Sequence, residues 1–166
     1  IIGLFFVLMI TATFAGCTAV GDPNQEFKDV LVESLDEYTK VATATVKDAT
    51  ATVEDATATN CAHLYQDGQD LMKWASKNEA RVERINPTDP RLISANAEYL
   101  AAISHVRENG QSVMSASRSY KAGDKTVGGV QMIKAIQSQN EFNEHLDNVD
   151  YFVREYNIRK SPLRQS

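Results

Sequence analysis

Each histidine in this chain has a carboxylate one helical turn away: His63 with Asp67, His105 with Glu108, and His145 with Glu141. Residues three or four apart share a helix face, so each pair sets an imidazole nitrogen beside a carboxylate oxygen. That combination can ligate a divalent metal. It can equally form a surface ion pair, and the composition favours that use. With 22 acidic residues in the chain, carboxylates fall at this spacing by chance. Carboxylate-bridged metal sites in helical bundles also repeat Glu-x-x-His on two helices, and no Glu-x-x-His occurs here. The sequence therefore predicts no bound metal and no cofactor, with His105, Glu108, Glu141 and His145 as the weak candidates for ligands.

Other arrangements that could carry chemistry are weaker. Lys73, Lys77, Arg81 and Arg84 form a basic row near Trp74, suited to anionic headgroups or an acidic partner. Glu79 and Glu83 interrupt it, which predicts a mixed, solvated face. The stretch Gly123–Asp124–Lys125–Thr126 has the ending of a phosphate loop, but Arg118 stands where the motif needs its earlier glycine. Neither Cys-x-x-Cys nor Gly-x-Ser-x-Gly is present, and nothing assembles a serine, histidine and aspartate, so an enzyme is not expected. Cys61 reads as a small buried apolar residue. A net charge of −5 and a pI near 5.2 argue against nucleic-acid binding, which calls for a basic footprint. The residues name no ligand site.

The N-terminal end carries a different kind of chemistry. The chain starts at Ile1, and we expect its first few residues to be missing. No charge occurs before Asp22, and residues 1–14, IIGLFFVLMITATF, are strongly apolar. This run is short for a membrane span of about 20 residues, but it suits the apolar core of a secretory signal. Phe14–Ala15–Gly16–Cys17 follows directly. Small residues closed by a cysteine at this distance resemble the lipobox of prokaryotic lipoproteins, with Phe14 in the place usually held by leucine.

The resemblance covers residues 1–17 and implies a signal peptide over 1–16, cleavage before Cys17, and acylation of Cys17. Each buried acyl CH₂ contributes about 0.8 kcal/mol, so two or more chains hold a protein stably at the membrane. The location implied is extracytoplasmic and lipid-anchored to the cell membrane, on the periplasmic or outer-surface side. An uncleaved N-terminal anchor and an ordinary cleaved signal are the alternatives.

The elements that position these residues are helical. Residues 42–60, ATATVKDATATVEDATATN, alternate like a strand yet repeat every seven residues. Alanine is depleted in strands and is the best helix former, so the seven-residue period is the one to follow. Read as a helix, the segment aligns Leu35, Tyr38, Ala42, Val46, Ala49, Val53, Ala56 and Asn60 in a thin heptad seam. Neither glycine nor proline occurs from Asn24 to Asp67. Asp22 fits an N-cap and Pro23 the first helical position.

We therefore expect a linker over 17–23 and a stalk helix over 24–59. The heptad slips by about one residue near Asn60, and we favour a helix continuous through it. A second stripe follows: Leu64, Gly68, Leu71, Ala75, Asn78, Val82 and Ile85. The prolines of Asn86–Pro87–Thr88–Asp89–Pro90 stop that helix and start the next, with Asp89 as cap. Its stripe is Leu92, Asn96, Tyr99, Ile103, Val106, Gly110, Val113, Ser117 and Tyr120. Gly123 ends it, Asp124 caps a last helix frayed at Gly128 and Gly129, and Met132, Ala135, Gln139, Phe142, Leu146, Val149, Val153 and Tyr156 line that helix. Residues 159–166 read as a basic, disordered tail.

The expected fold is all-α, an antiparallel three-helix bundle over 24–158 that includes the stalk. A four-helix bundle results instead if the chain turns near Asn60. The function expected is that of a membrane-tethered, extracytoplasmic bundle acting as a scaffold, spacer or accessory interaction protein. Its partners would be the membrane, through acyl chains on Cys17, and a protein partner or a second copy engaged through the stalk. The alternative is a small-ligand or sensor bundle that uses a belt of Tyr99, Tyr120, Asn96 and Gln139.

Overall fold

A computed structural model describes residues 21–160. Residues 1–20, with the expected signal peptide and Cys17, and residues 161–166 lie outside the described residues. Within them the chain forms four helices and no strand: α1 (Pro23–Glu54), α2 (Ala58–Val82), α3 (Pro90–Lys121) and α4 (Lys125–Lys160). Links this short make consecutive helices antiparallel neighbours. Side-chain ladders record the order. Glu33 and Glu37 on α1 meet Arg81 and Lys77 on α2. Tyr65 and Glu79 on α2 meet Arg118 and Arg107 on α3. Glu98 and His105 on α3 meet His145 and Glu141 on α4. Tyr38 of α1 closes the ring against Phe142 of α4, ring centroids 4.5 Å apart. No helix among the described residues is long and apolar enough to cross a membrane.

The helix ends follow local chemistry. Asp22 accepts from the Asn24 N–H at 2.9 Å, and Asp89 accepts from the Arg91 N–H at 3.0 Å, each with proline next in line. Gly123 takes φ +81° at the end of α3, a conformation that favours glycine. Asp124 then accepts from the Val127 N–H at 3.0 Å.

The expected stalk over 24–59, and with it the three-helix bundle, gives way to four helices. The chain turns at residues 55–57, and α1 lies along the bundle rather than extending from it. Thr57 accepts from the Asn60 N–H at 3.1 Å and starts α2. The Asn60 side chain reaches back to the Asp55 carbonyl at 2.7 Å, satisfying an acceptor that α1 leaves open. The phase slip near Asn60 is thus the mark of a turn made by capping residues rather than by glycine or proline.

The core contains most of the expected stripes. Every expected stripe position of α2 is buried, and so is every one of α3 except Asn96, which is partly buried. On α1 the buried line is Phe27, Leu31, Ser34, Tyr38, Ala42, Thr45, Ala49 and Thr52. It parts from the expected seam at Ser34, Thr45 and Thr52, leaving Leu35 and Val46 half-buried and Val53 48% exposed. The threonines can go inside because each hydroxyl bonds within its own helix. Thr45 Oγ1 donates to the Val41 carbonyl at 2.9 Å and Thr52 Oγ1 to the Asp48 carbonyl at 2.8 Å. Helices α2 and α3 cross in near backbone contact at Gly68 and Gly110, where a Cβ on either would lie under 3 Å from the other's carbonyl oxygen. Gly128 does not fray α4, because it seats the ring of Tyr120.

Candidate functional site

The seam between α3 and α4 gathers the histidine chemistry. His105 and Glu108 sit one turn apart on α3, and Glu141 faces them from α4. The His105 Nδ1 lies 3.2 Å from Glu108 Oε2 and 3.1 Å from Glu141 Oε2. One ligand atom from each of the three falls within 4.8 Å of the other two. The neighbours of these residues in sequence fix the backbone on both sides, since Val106 and Phe142 are fully inside the core. His105 is half-buried, whereas the two carboxylates reach solvent.

His145 stacks on His105, with centroids 5.3 Å apart and planes 17° from parallel. Its own partner is not Glu141 but Glu98 on α3, 2.7 Å from Nδ1. Glu98 also accepts from Asn148 Nδ2 at 3.1 Å. These two hydrogen bonds, that of His145 first, hold the Glu98 carboxyl below its ordinary range. Three of the four candidates thus converge, and the fourth stands beside them in a second pair. Glu98 escaped the sequence reading because it lies seven residues before His105, and nothing local points from it to α4. The remaining pair does not form a site: His63 is exposed on α2, and Asp67 turns into the bundle.

Asp67 is the other unusual acid. It is 9% exposed, and its Oδ2 has no hydrogen-bond partner among the described residues. Loss of water around it, and then the nearby Asp48 carboxyl of α1, push its pKa from an ordinary 3.8 to about 7. A neutral Asp67 avoids both the cost of a charge shielded from water and the repulsion of Asp48.

Polar groups cross the core at two levels. The Trp74 indole donates to the Ser34 carbonyl at 3.0 Å, and the Ser34 and Tyr99 hydroxyls share a hydrogen bond at 2.5 Å. The Tyr38 hydroxyl donates to Gln139 Oε1, which also accepts from Asn109 Nδ2 at 3.3 Å. Burial pushes the pKa of both phenols up. A cavity of about 30 Å³ lies beside this second group, lined by Tyr38, Ala42, Leu71, Asn109, Met132 and Gln139 among others. A single water needs about 10–15 Å³, so the space suits water rather than a metabolite. Of the expected belt, Gln139 lines this cavity, while Tyr99 bonds to Ser34 and Tyr120 covers Gly128.

Three of the four residues of the basic row pair with neighbouring acids: Lys73 with Asp70, Lys77 with Glu37, and Arg81 with Glu33, while Arg84 is exposed. Cys61 is buried against Ala116 and Tyr120, and its carbonyl accepts from the Ser117 hydroxyl at 2.5 Å. Comparison with protein-family models, curated proteins and solved structures gives no match for the chain.

Proposed function

We propose that the protein is a membrane-tethered, extracytoplasmic four-helix bundle that acts by contact, as an accessory or scaffold protein, and not as a catalyst. The tether in this reading is the acylated Cys17, cut free of a signal peptide over residues 1–16. The carrying observation is the lipobox-like Phe14–Cys17 set only six residues before Pro23, which opens α1. A linker that short holds one end of the bundle at the membrane surface. The opposite end is one helix length away, about 48 Å for the residues of α1 at about 1.5 Å each. There the first turns of α4 expose Val127, Val130, Ile133 and Ile136. Each is three residues from the next, so neighbours touch and the four make one oblique apolar ridge.

Because α1 commits its seam to the bundle, contact with a protein of the same envelope falls to this ridge rather than to a stalk. The polar, ion-paired faces of α1 and α2 suit a spacer. No observation favours the small-ligand alternative, whose belt is dispersed.

The test is mass spectrometry of the mature N-terminus from native membranes, joined to crosslinking of the wild type, Ile133→Glu, and Ile93→Glu as a control at the other end. The expected result is an acyl mass on Cys17 and a discrete adduct that disappears with Ile133→Glu alone. An unmodified mature N-terminus would overturn the tether, and adducts equal in all three proteins would overturn the ridge.

A further inference from the structure

We propose that His105, Glu108 and Glu141 form a binding site for one divalent transition-metal ion of the zinc type, with water completing the coordination shell. This stands independently of how the chain is tethered.

The argument rests on geometry. Zinc bonds of about 2.0–2.2 Å in a tetrahedron place neighbouring ligand atoms about 3.3–3.5 Å apart. The two His105-to-carboxylate distances, 3.2 and 3.1 Å, nearly match such edges already. The remaining separation, between the two carboxylates, is within 4.8 Å. Their side chains are 58% and 53% exposed, free to rotate the last ångström together. The backbones that carry them are not free, since Val106 and Phe142 beside them are locked in the core.

Without a cation the arrangement is poorly matched. One imidazole nitrogen offers a single proton, and two carboxylates face it. A cation at the centroid satisfies all three at once. The imidazole selects the class of ion, because calcium and magnesium take oxygen ligands while imidazole suits zinc, copper, nickel and iron. The neighbouring ring of His145, held by Glu98, stacks on His105 and limits its rotation. Exposure of the carboxylates makes the site one that fills and empties from solution. A filled site clamps α3 to α4.

The experiment titrates the full chain in detergent with zinc chloride by calorimetry, and with cobalt(II) by visible absorption. Wild type, His105→Ala, Glu141→Gln and His63→Ala are compared, with far-UV circular dichroism to check the fold of each. The expected result is a saturable equimolar isotherm, visible bands of four-coordinate cobalt, and affinity lowered at least about tenfold in His105→Ala and Glu141→Gln. His63→Ala should bind like wild type. Glu141→Gln keeps the size and shape of the side chain, so loss of binding there reports the ligand and not the fold. Absence of saturable binding, or equal affinity in His105→Ala and wild type, would overturn the proposal.

Discussion

Replacing Asp67 by asparagine should stabilise the protein at neutral and higher pH, although the side chain it removes is native and buried. An asparagine has the same shape and carries no charge at any pH. The sign follows from the raised pKa of Asp67, about 7 against an ordinary 3.8. Below about pH 4 both folded and unfolded chains hold this proton, and the acid does not oppose folding. From there to about pH 7 the unfolded chain releases the proton while the folded one keeps it, so stability falls as pH rises. Above pH 7 the carboxylate is ionised in the fold as well, and the loss is complete.

At about 1.36 kcal/mol for each pH step, the span between the two values sets an upper limit of about 4 kcal/mol. Asp48 and Asp70 are partly solvated, and screening by that water reduces the effect to about 1–2 kcal/mol. Urea unfolding followed by circular dichroism measures it, with wild type and Asp67→Asn compared at about pH 3 and about pH 8. The difference between the two proteins should be near zero at the acid end and favour Asp67→Asn by about 1–2 kcal/mol at the alkaline end. Contributions from acids that do not interact with Asp67 cancel in that difference. If Asp67→Asn is the less stable protein at about pH 8, or if the gap is the same at both pH values, the reasoning is wrong.

Gly110→Ala places a Cβ 2.7 Å from the Gly68 carbonyl oxygen, so α2 and α3 must separate; thermal or urea unfolding should show a loss of about 1–3 kcal/mol. Thr57→Ala removes the cap that starts α2 and should lower stability by about 1 kcal/mol in the same assay, with the helix content unchanged. Phe142→Ala removes a fully buried ring that packs on Tyr38 and should be destabilising by about 3–5 kcal/mol in urea unfolding, the largest effect of this set. Val53→Ala removes an exposed side chain, and its unfolding midpoint should stay within about 0.5 kcal/mol of wild type, which separates the buried line at Thr52 from the seam expected through Val53.

Much of the architecture was legible because it is written locally. The caps at Asp22, Asp89 and Asp124, the prolines at the helix starts and Gly123 at the end of α3 each act over a few residues, and the heptad stripes of α2 and α3 are buried nearly position for position. The turn at residues 55–57 was legible only as an alternative near Asn60, because its signal, a threonine cap and an asparagine reaching back, hides among repeated threonines. The phase of α1 was missed for a related reason. Ranking valine above threonine is sound for an isolated side chain, but a hydroxyl that bonds its own helix loses most of its cost of burial.

By itself, then, the sequence determined that the chain is helical and where three of the four helices begin, and it carries an uncharged apolar run closed by Phe14–Cys17 ahead of them. Hydrophobic period and cap chemistry are properties of neighbouring residues, so they survive without a fold. The tertiary structure alone decided that α1 folds back, that Glu141 serves His105 while Glu98 serves His145, and that Asp67 meets Asp48 across a helix pair. Those outcomes depend on which helix lies alongside and at what height. Residues far apart in the chain acquire a shared environment only when packing of the core sets that register.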